Sequence, residues 1–243
     1  MISSIALLSS ILPYLIGSIS FARLIARLIN PNEDLENVEM KGPESETGQR
    51  MQTIGATTAS LKLGPKVGCA IGFLDILKGV LPVLALKLLY PAQYYHLIAA
   101  IFVVIGHNWP VFYRFRGGSG VSATYGGFFV VDFFGTIVSA FTGMVFGFFI
   151  VRDILVAYTS GFWFMLVWLI IFKGDWPHIV YGILMNVIFT LALIPDIKDY
   201  VQKKRQGTLD MQAGMESFPM GRGMLKIMRF FGVEHQKKSA DDS

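Results

Sequence analysis

The stretch KVGCAIGFLDILKGVLPVLALKLL, residues 66–89, decides the fold class of this chain. A helix needs roughly 20 mainly apolar residues to cross a hydrocarbon core about 30 Å thick, and this stretch is long enough. Two charged residues, Asp75 and Lys78, lie in its middle, and their spacing of three places them on one face of a helix. Charges at membrane depth are costly and are usually paired or turned toward a polar cavity. The stretch therefore predicts a spanning helix that carries either a structural ion pair or a substrate-facing pair.

Further apolar stretches lie on both sides of this one, and with it they make seven. They are residues 5–29, 94–112, 121–131, 134–151, 157–172 and 179–194. Residues 121–131 are too short to span comfortably and are typical of a broken or re-entrant helix, so five or seven crossings remain open. The sequence predicts an all-α integral membrane protein, a polytopic bundle of about seven membrane helices with five full spans as the alternative.

The composition excludes several other classes. Of the 243 residues, 53% are hydrophobic and only 16% are charged, which lies outside the range of soluble globular proteins. Cys69 is the single cysteine, so no intrachain disulfide is possible. The four histidines do not have metal-ligand spacing, and neither a Walker loop nor a nucleophile elbow is present. We expect no metal, no cofactor, no nucleic-acid partner and no obligate protein partner.

The basic residues predict the orientation of the chain. Positive residues collect on the cytoplasmic side of membrane proteins, and the chain beyond the last apolar stretch is strongly basic. With an odd number of crossings, the N-terminus then faces out and the C-terminus faces in. We expect residues 1–204 to form the membrane domain and residues 205–243 to form a basic cytoplasmic tail, in which residues 223–233 are either a short amphipathic helix or disordered.

Three polar clusters could carry chemistry. The first, residues 53–58, combines small residues and hydroxyls at a helix start, where backbone N–H groups can approach an anion, although a plain loop with an N-cap threonine fits it as well. The second is the pair Asp75 and Lys78. The third, residues 106–120, joins His107 to two arginines and a glycine turn. It would gather cations and free N–H groups for a phosphorylated substrate, or it would be a basic turn at the membrane surface.

The order and spacing of these clusters resemble one family. Gly17-Ser18-Ile19-Ser20-Phe21, Ile54-Gly55-Ala56-Thr57, Asp75-Ile76-Leu77-Lys78-Gly79 and the run from Gly106-His107 to Gly118-Ser119-Gly120-Val121 are similar to blocks of the PlsY family, the acyl-phosphate-dependent glycerol-3-phosphate acyltransferases. The resemblance covers about residues 13–204. Each block alone is weak, and together they are specific.

The resemblance implies a multi-pass plasma-membrane enzyme of phospholipid biosynthesis with its active site on the cytoplasmic face. Such an enzyme transfers a fatty acyl group from acyl phosphate to glycerol 3-phosphate and yields lysophosphatidate and phosphate. The resemblance also implies a catalytic role for His107, Thr57 and Thr53. The expected substrate- and phosphate-binding residues are Arg114, Arg116, Gly117, Gly118, Ser119, Gly120, Gly55, Ala56, Lys78, Asp75 and Arg152.

The sequence departs from the family pattern at several of these positions. Met51 and Thr53 stand where the family has serine and asparagine, and Ser119 stands where it has lysine. The stretch 193–198 lacks the histidine of the family's last motif. Two alternatives therefore stay open beside the acyltransferase: a catalytically silent or substrate-shifted relative that binds a lipid or phosphorylated ligand, and a small membrane transporter.

Overall fold

The computed structural model describes residues 4–32, 35, 38–40, 49–51, 53–151, 153–206, 222, 223, 225, 226 and 230. Nine α-helices and two short strands occur in this part of the chain. The helices are α1 Ser4–Gly17, α2 Phe21–Ile29, α3 Ala56–Leu63, α4 Pro65–Leu89, α5 Tyr95–Asn108, α6 Val121–Val131, α7 Phe133–Val145, α8 Ile154–Phe172 and α9 Trp176–Gln206. The strands β1 Val38–Met40 and β2 Gln49–Met51 pair antiparallel, with Val38 opposite Met51.

All seven apolar stretches are helical, which confirms the predicted all-α membrane bundle. Five segments are long and apolar enough to cross a membrane: Ser4–Ile29, Pro65–Leu89, Tyr95–Tyr113, Phe133–Val151 and Trp176–Gln202. Two shorter apolar helices, Val121–Val131 and Val156–Phe172, accompany them. Large apolar side chains such as Leu8, Leu88 and Phe134 are mostly exposed, as expected where lipid rather than water surrounds the helices.

The first apolar stretch is divided, although the sequence predicts one continuous spanning helix for residues 5–29. The chain leaves the helix after Gly17 and re-enters at Phe21, where the Ser20 side chain caps α2 by accepting from the Arg23 N–H at 3.4 Å. Hydropathy averages over the whole stretch and does not detect this break. The break leaves the carbonyl of Ile19 outside any helical ladder, so it is available to a side chain from elsewhere.

The middle of the bundle is held by close contact between α4 and α6. A side chain at Gly79 would overlap the Ala123 carbonyl, and one at Gly126 would overlap the Ile76 carbonyl. Such small residues let two membrane helices approach backbone to backbone. Next to this crossing, the core continues into α8 and α9, where the rings of Phe162 and Phe189 stack 3.9 Å apart. The short helix α6 therefore has a fixed position between its neighbours.

A separate polar cluster, outside the three that the sequence indicated, lies where α4 and α6 end. The Lys87 ammonium group donates to the carbonyls of Val130 and Val131, which end α6. Asp132 caps α7 by accepting from the Gly135 N–H at 2.7 Å, and it pairs with Lys173 at 3.0 Å. Partial burial alone would raise the pKa of Asp132, but these partners outweigh burial and hold that pKa below its ordinary value. The carboxylate is therefore charged at neutral pH.

Candidate functional site

The buried ion pair of α4 forms one wall of the site. Lys78 Nζ lies 2.8 Å from Asp75 Oδ1 and donates to the Ile19 carbonyl at 2.7 Å. Both side chains are almost fully buried. The pair predicted from the spacing of three is thus present, and its ammonium group also satisfies the carbonyl that the break between α1 and α2 leaves exposed.

His107, at the end of α5, lies beside this pair. Its Nδ1 is 3.6 Å from Asp75 Oδ1, which is close enough for electrostatic contact but too long for a good hydrogen bond. The His107 carbonyl accepts from the Gly118 N–H at 3.2 Å, and a Cβ on Gly118 would overlap His107 Nε2. The glycine turn therefore lies directly on the imidazole. A side chain at position 118 would have to displace this buried ring.

Gly120 repeats this close packing on the next residue of α5. Its φ is +78°, a left-handed conformation that favours glycine, and a Cβ there would overlap the side-chain oxygen of Asn108. Asn108 is buried, and within the described residues neither polar atom of its amide has a hydrogen-bond partner. A buried amide of this kind is available to a ligand or to water.

The loop that holds Thr53 to Ala56 is tied to the glycine turn. The Ile54 N–H donates to the Gly117 carbonyl at 2.9 Å. The Thr58 hydroxyl folds back on Gly55, contacting both its N–H and its carbonyl at 2.9 Å. Two clusters that are far apart in sequence therefore form one backbone platform.

Two helix N-termini meet at this platform. α3 begins after Gly55 and α6 begins after Gly120, and both helices lie against Gly72, where a Cβ would be 3.6 Å from Ala56 Cβ and 3.9 Å from Ser122 Oγ. Glycine has no side chain to accept from the first-turn N–H groups, so within the described residues no N-cap side chain occupies these donors. Converging helix N-termini with free N–H groups are suited to an anion such as phosphate.

A cavity of about 10 Å³ connects the three clusters. It is enclosed by Ile54 from the first cluster, by Asp75 and Lys78 from the second, by His107 and Gly118 from the third, and by the break between α1 and α2. This volume accommodates about one water molecule. The geometry brings the sequence-predicted clusters together around a small polar centre.

The arginines lie on the outer side of the glycine turn. Arg114 and Arg116 are exposed, and Arg114 and Phe115 both have positive φ, 52° and 60°. Such left-handed conformations strain residues with a side chain and often occur at functional sites. The arginines thus flank the platform on its exposed side, and they do not line the buried cavity.

Other expected site residues have different positions. Thr57 is exposed on α3, and the neighbouring Thr58 makes the contact with Gly55. Thr53 is half-buried and donates to Asp196 Oδ2 at 3.3 Å. Ser119 is half-buried between Gly118 and Gly120 in the glycine turn. Arg152 lies outside the described residues, as does most of the tail segment 223–233.

Sequence reasoning missed Asp196 as a site residue. The available signal for Asp196 was a carboxylate directly after Pro195 in an apolar helix, and an acid in such a helix is a functional candidate.

Residues 7–203 match the sequence model of the glycerol-3-phosphate acyltransferase family. The chain belongs to this family. A glycerol-3-phosphate acyltransferase of Pseudothermotoga lettingae is 34% identical over 125 residues, which cover 51% of this chain and 56% of the relative. The glycerol-3-phosphate acyltransferase of Aquifex aeolicus is 37% identical over 128 residues, 52% of this chain and 60% of the relative. The matched segments thus span little more than half the length of these relatives.

Solved glycerol-3-phosphate acyltransferases share the fold. A crystal structure of PlsY, an integral membrane glycerol 3-phosphate acyltransferase in its glycerol 3-phosphate form, has a TM-score of 0.67 and 25% identity. The match covers 84% of this chain and 93% of that one. The lysophosphatidic acid form gives a TM-score of 0.65 at 24% identity. The resemblance to the PlsY family and the membrane location are confirmed.

Proposed function

We propose that this protein is a membrane acyltransferase that moves a fatty acyl group from acyl phosphate to a hydroxyl of glycerol 3-phosphate. The hydroxyl oxygen forms the new ester bond with the acyl carbon. The bond between that carbon and the phosphate oxygen breaks, phosphate leaves with the electron pair, and the hydroxyl proton is released. The products are lysophosphatidate and phosphate. The family membership and the activity for which the relatives are named support this assignment.

The observation that carries the proposal is the convergence of two glycine-capped helix N-termini beside His107 and the Asp75–Lys78 pair. Both substrates carry a phosphate, and the first-turn N–H groups of α3 and α6 are donors suited to hold one. The exposed Arg114 and Arg116 lie on the turn that leads into α6, where they attract anions to the same platform.

An acyl phosphate is a mixed anhydride and is already activated. Catalysis then needs positioning of the two substrates and stabilisation of charge on the phosphate and on the oxyanion. The Gly117–Gly120 turn is held by two backbone hydrogen bonds, from the Ile54 N–H to the Gly117 carbonyl and from the Gly118 N–H to the His107 carbonyl. The start of α6, which follows this turn, therefore has a fixed position. His107 and Lys78 keep the inner side of the platform polar.

We further propose that the protein lies in the plasma membrane with its C-terminus and this platform on the cytoplasmic side, and that residues beyond 204 form a tail. The basic residues after α9 support this orientation. A cysteine introduced at Ser243, in a background where Cys69 is serine, should react with a membrane-impermeant maleimide only after the cells are opened. Labelling in intact cells would reverse the orientation.

The activity is tested with purified protein, palmitoyl phosphate and labelled glycerol 3-phosphate. The expected result is labelled lysophosphatidate with an equal amount of released phosphate. Arg116→Ala should lose most of this product, whereas Arg27→Ala, which removes an exposed arginine at the end of α2, should retain it. A folded wild-type protein that forms no product would refute the proposal.

A silent or substrate-shifted relative is the second candidate. The presence of Ser119 where the family resemblance expects lysine favours it, because one cationic donor to the phosphate is replaced by a hydroxyl. In that case the protein would bind glycerol 3-phosphate without turnover. Flux of labelled solute into proteoliposomes without any covalent product would instead indicate the transporter.

A further inference from the structure

A larger cavity, of about 560 Å³, lies at the opposite end of α4 from the platform. Lys87, which lines it, is nine residues after Lys78, about 14 Å further along the helix axis. The two cavities share no lining residue. The volume is within the range of about 300–1,000 Å³ that small-molecule sites have. The larger cavity is therefore a separate candidate site.

The larger cavity lies on the lipid-facing side of α4. Two of its lining residues, Leu84 and Leu88, are 39% and 72% exposed on a helix that is long and apolar enough to span a membrane. Where such a helix crosses the bilayer, exposed side chains meet hydrocarbon chains rather than water. Four further apolar residues belong to the lining: Val80, Pro91, Phe129 and Val130. These apolar walls favour an occupant with a hydrocarbon chain over a free ion.

One polar contact in the larger cavity is the Lys87 ammonium group. It donates to the carbonyls of Val130 and Val131, and an ammonium group has three N–H donors. One donor is therefore left for a ligand. The neighbouring Asp132 pairs with Lys173 at 3.0 Å, and among the residues that the structure describes no carboxylate lines this cavity. The charge of Lys87 thus makes the cavity attractive to an anion.

The other polar contact is His96, in the first turn of α5. It is only 7% exposed, and its Nδ1 has no hydrogen-bond partner in the part of the chain that the structure describes. Buried polar atoms are nearly always satisfied, so an atom without a partner indicates a bound ligand or water. The neighbouring His178, with its ring centroid 6.4 Å away, is itself held by Asp175 at 2.7 Å. His96 therefore remains available to a ligand in the larger cavity.

We propose that the larger cavity binds an anionic membrane phospholipid, whose phosphate accepts from Lys87 and His96 while an acyl chain lies against Leu84 and Leu88. Charge complementarity selects the anionic headgroup, and burial of apolar surface holds the chain. A free phosphate would leave the apolar walls uncovered. This lipid binds at the other end of α4 from the platform, so the inference does not depend on acyl transfer.

The test compares two lipids that differ in net charge. The purified full chain is immobilised in detergent and incubated with radiolabelled phosphatidylglycerol or phosphatidylcholine with the same acyl chains, and the bound lipid is counted. Wild type should bind one phosphatidylglycerol about tenfold more tightly than phosphatidylcholine, because hydrogen bonds between charged groups are among the stronger ones. Lys87→Met should lose this preference and bind both lipids equally.

Two further variants complete the experiment. His96→Phe keeps a ring and leaves the Lys87 contacts with α6 in place, so it serves as the test if Lys87→Met fails to fold. It should weaken phosphatidylglycerol binding about threefold, as expected for the loss of one hydrogen bond. Lys66→Met makes the same charge change at an exposed position near the other end of α4 and should keep the wild-type preference.

Three outcomes would overturn the inference. The first is a wild type that binds both lipids equally, and the second is retention of the full preference by Lys87→Met and His96→Phe. The third is displacement of bound phosphatidylglycerol by excess inorganic phosphate, which would indicate a site for a free anion instead of a lipid.

Discussion

Removing the Lys78 ammonium group is expected to cost much of the stability of the bundle. In Lys78→Met, the Asp75 carboxylate remains buried without its partner at 2.8 Å, and the Ile19 carbonyl loses its donor at 2.7 Å. Breaking one side of a buried ion pair typically costs about 3–5 kcal/mol. We expect a destabilisation of that size, because His107 Nδ1, at 3.6 Å, is too distant to replace the ammonium group.

The double variant Asp75→Leu/Lys78→Met separates the two contributions. Replacing a buried pair by apolar residues of similar volume is often nearly neutral, so only the unsatisfied Ile19 carbonyl should remain, at about 1–3 kcal/mol. Lys66→Met makes the same substitution at an exposed position of α4 and should change stability by about 0.5 kcal/mol or less. The free energy of unfolding is measured by tryptophan fluorescence as SDS is raised in mixed micelles. A cost below about 1 kcal/mol for Lys78→Met, or a double variant less stable than it, would refute this account.

Three other perturbations probe separate features. Gly118→Ala should abolish acyl transfer while the helical content stays intact, because the added Cβ overlaps His107 Nε2; product formation near the wild-type rate would show that the turn can move. Arg114→Gly should relieve left-handed strain and raise stability by about 1 kcal/mol in the same unfolding assay, and a loss of stability would contradict this. Asp132→Asn should cost about 0.2–1 kcal/mol at pH 7 through the lost pairing with Lys173, and unfolding curves of variant and wild type should converge as the pH falls below about 4 and through the lowered pKa of Asp132. A difference that persists at low pH would indicate a cause other than charge.

The apolar helices were the part of the fold that the sequence predicted best. Residues 121–131 were predicted as a short apolar stretch, and α6 has those bounds. The sequence indicated a helix start at residues 53–58, just before the spanning stretch, but did not predict that α3, Ala56–Leu63, is a helix separate from α4. The division of the first stretch was missed as well, since it depends on Ser20 capping α2 and on a lysine far along the chain.

The site was predictable to the extent that its residues lie in recognisable clusters. The cavity is lined by Ile54, Asp75, Lys78, His107 and Gly118, and these come from the three clusters that the sequence indicated. The contact between Thr53 and Asp196 joins residues that are 143 positions apart. Local spacing carries no information on such a pair, so this contact could be found only from the three-dimensional structure.

The level at which α6 begins has a consequence for how a lipid-like donor reaches the site. Ser122, at the start of α6, lies beside Gly72 of α4. Gly72 is seven residues after the first residue of α4, a distance of about 10 Å along the helix axis. Transfer of a sixteen-carbon chain into water would cost on the order of 12 kcal/mol at about 0.8 kcal/mol per methylene. In the proposed reaction, a platform recessed in this way would let the phosphate of the acyl donor reach it while the hydrocarbon chain stays among the lipid tails. The water-soluble acceptor would then have to move from water toward the membrane interior.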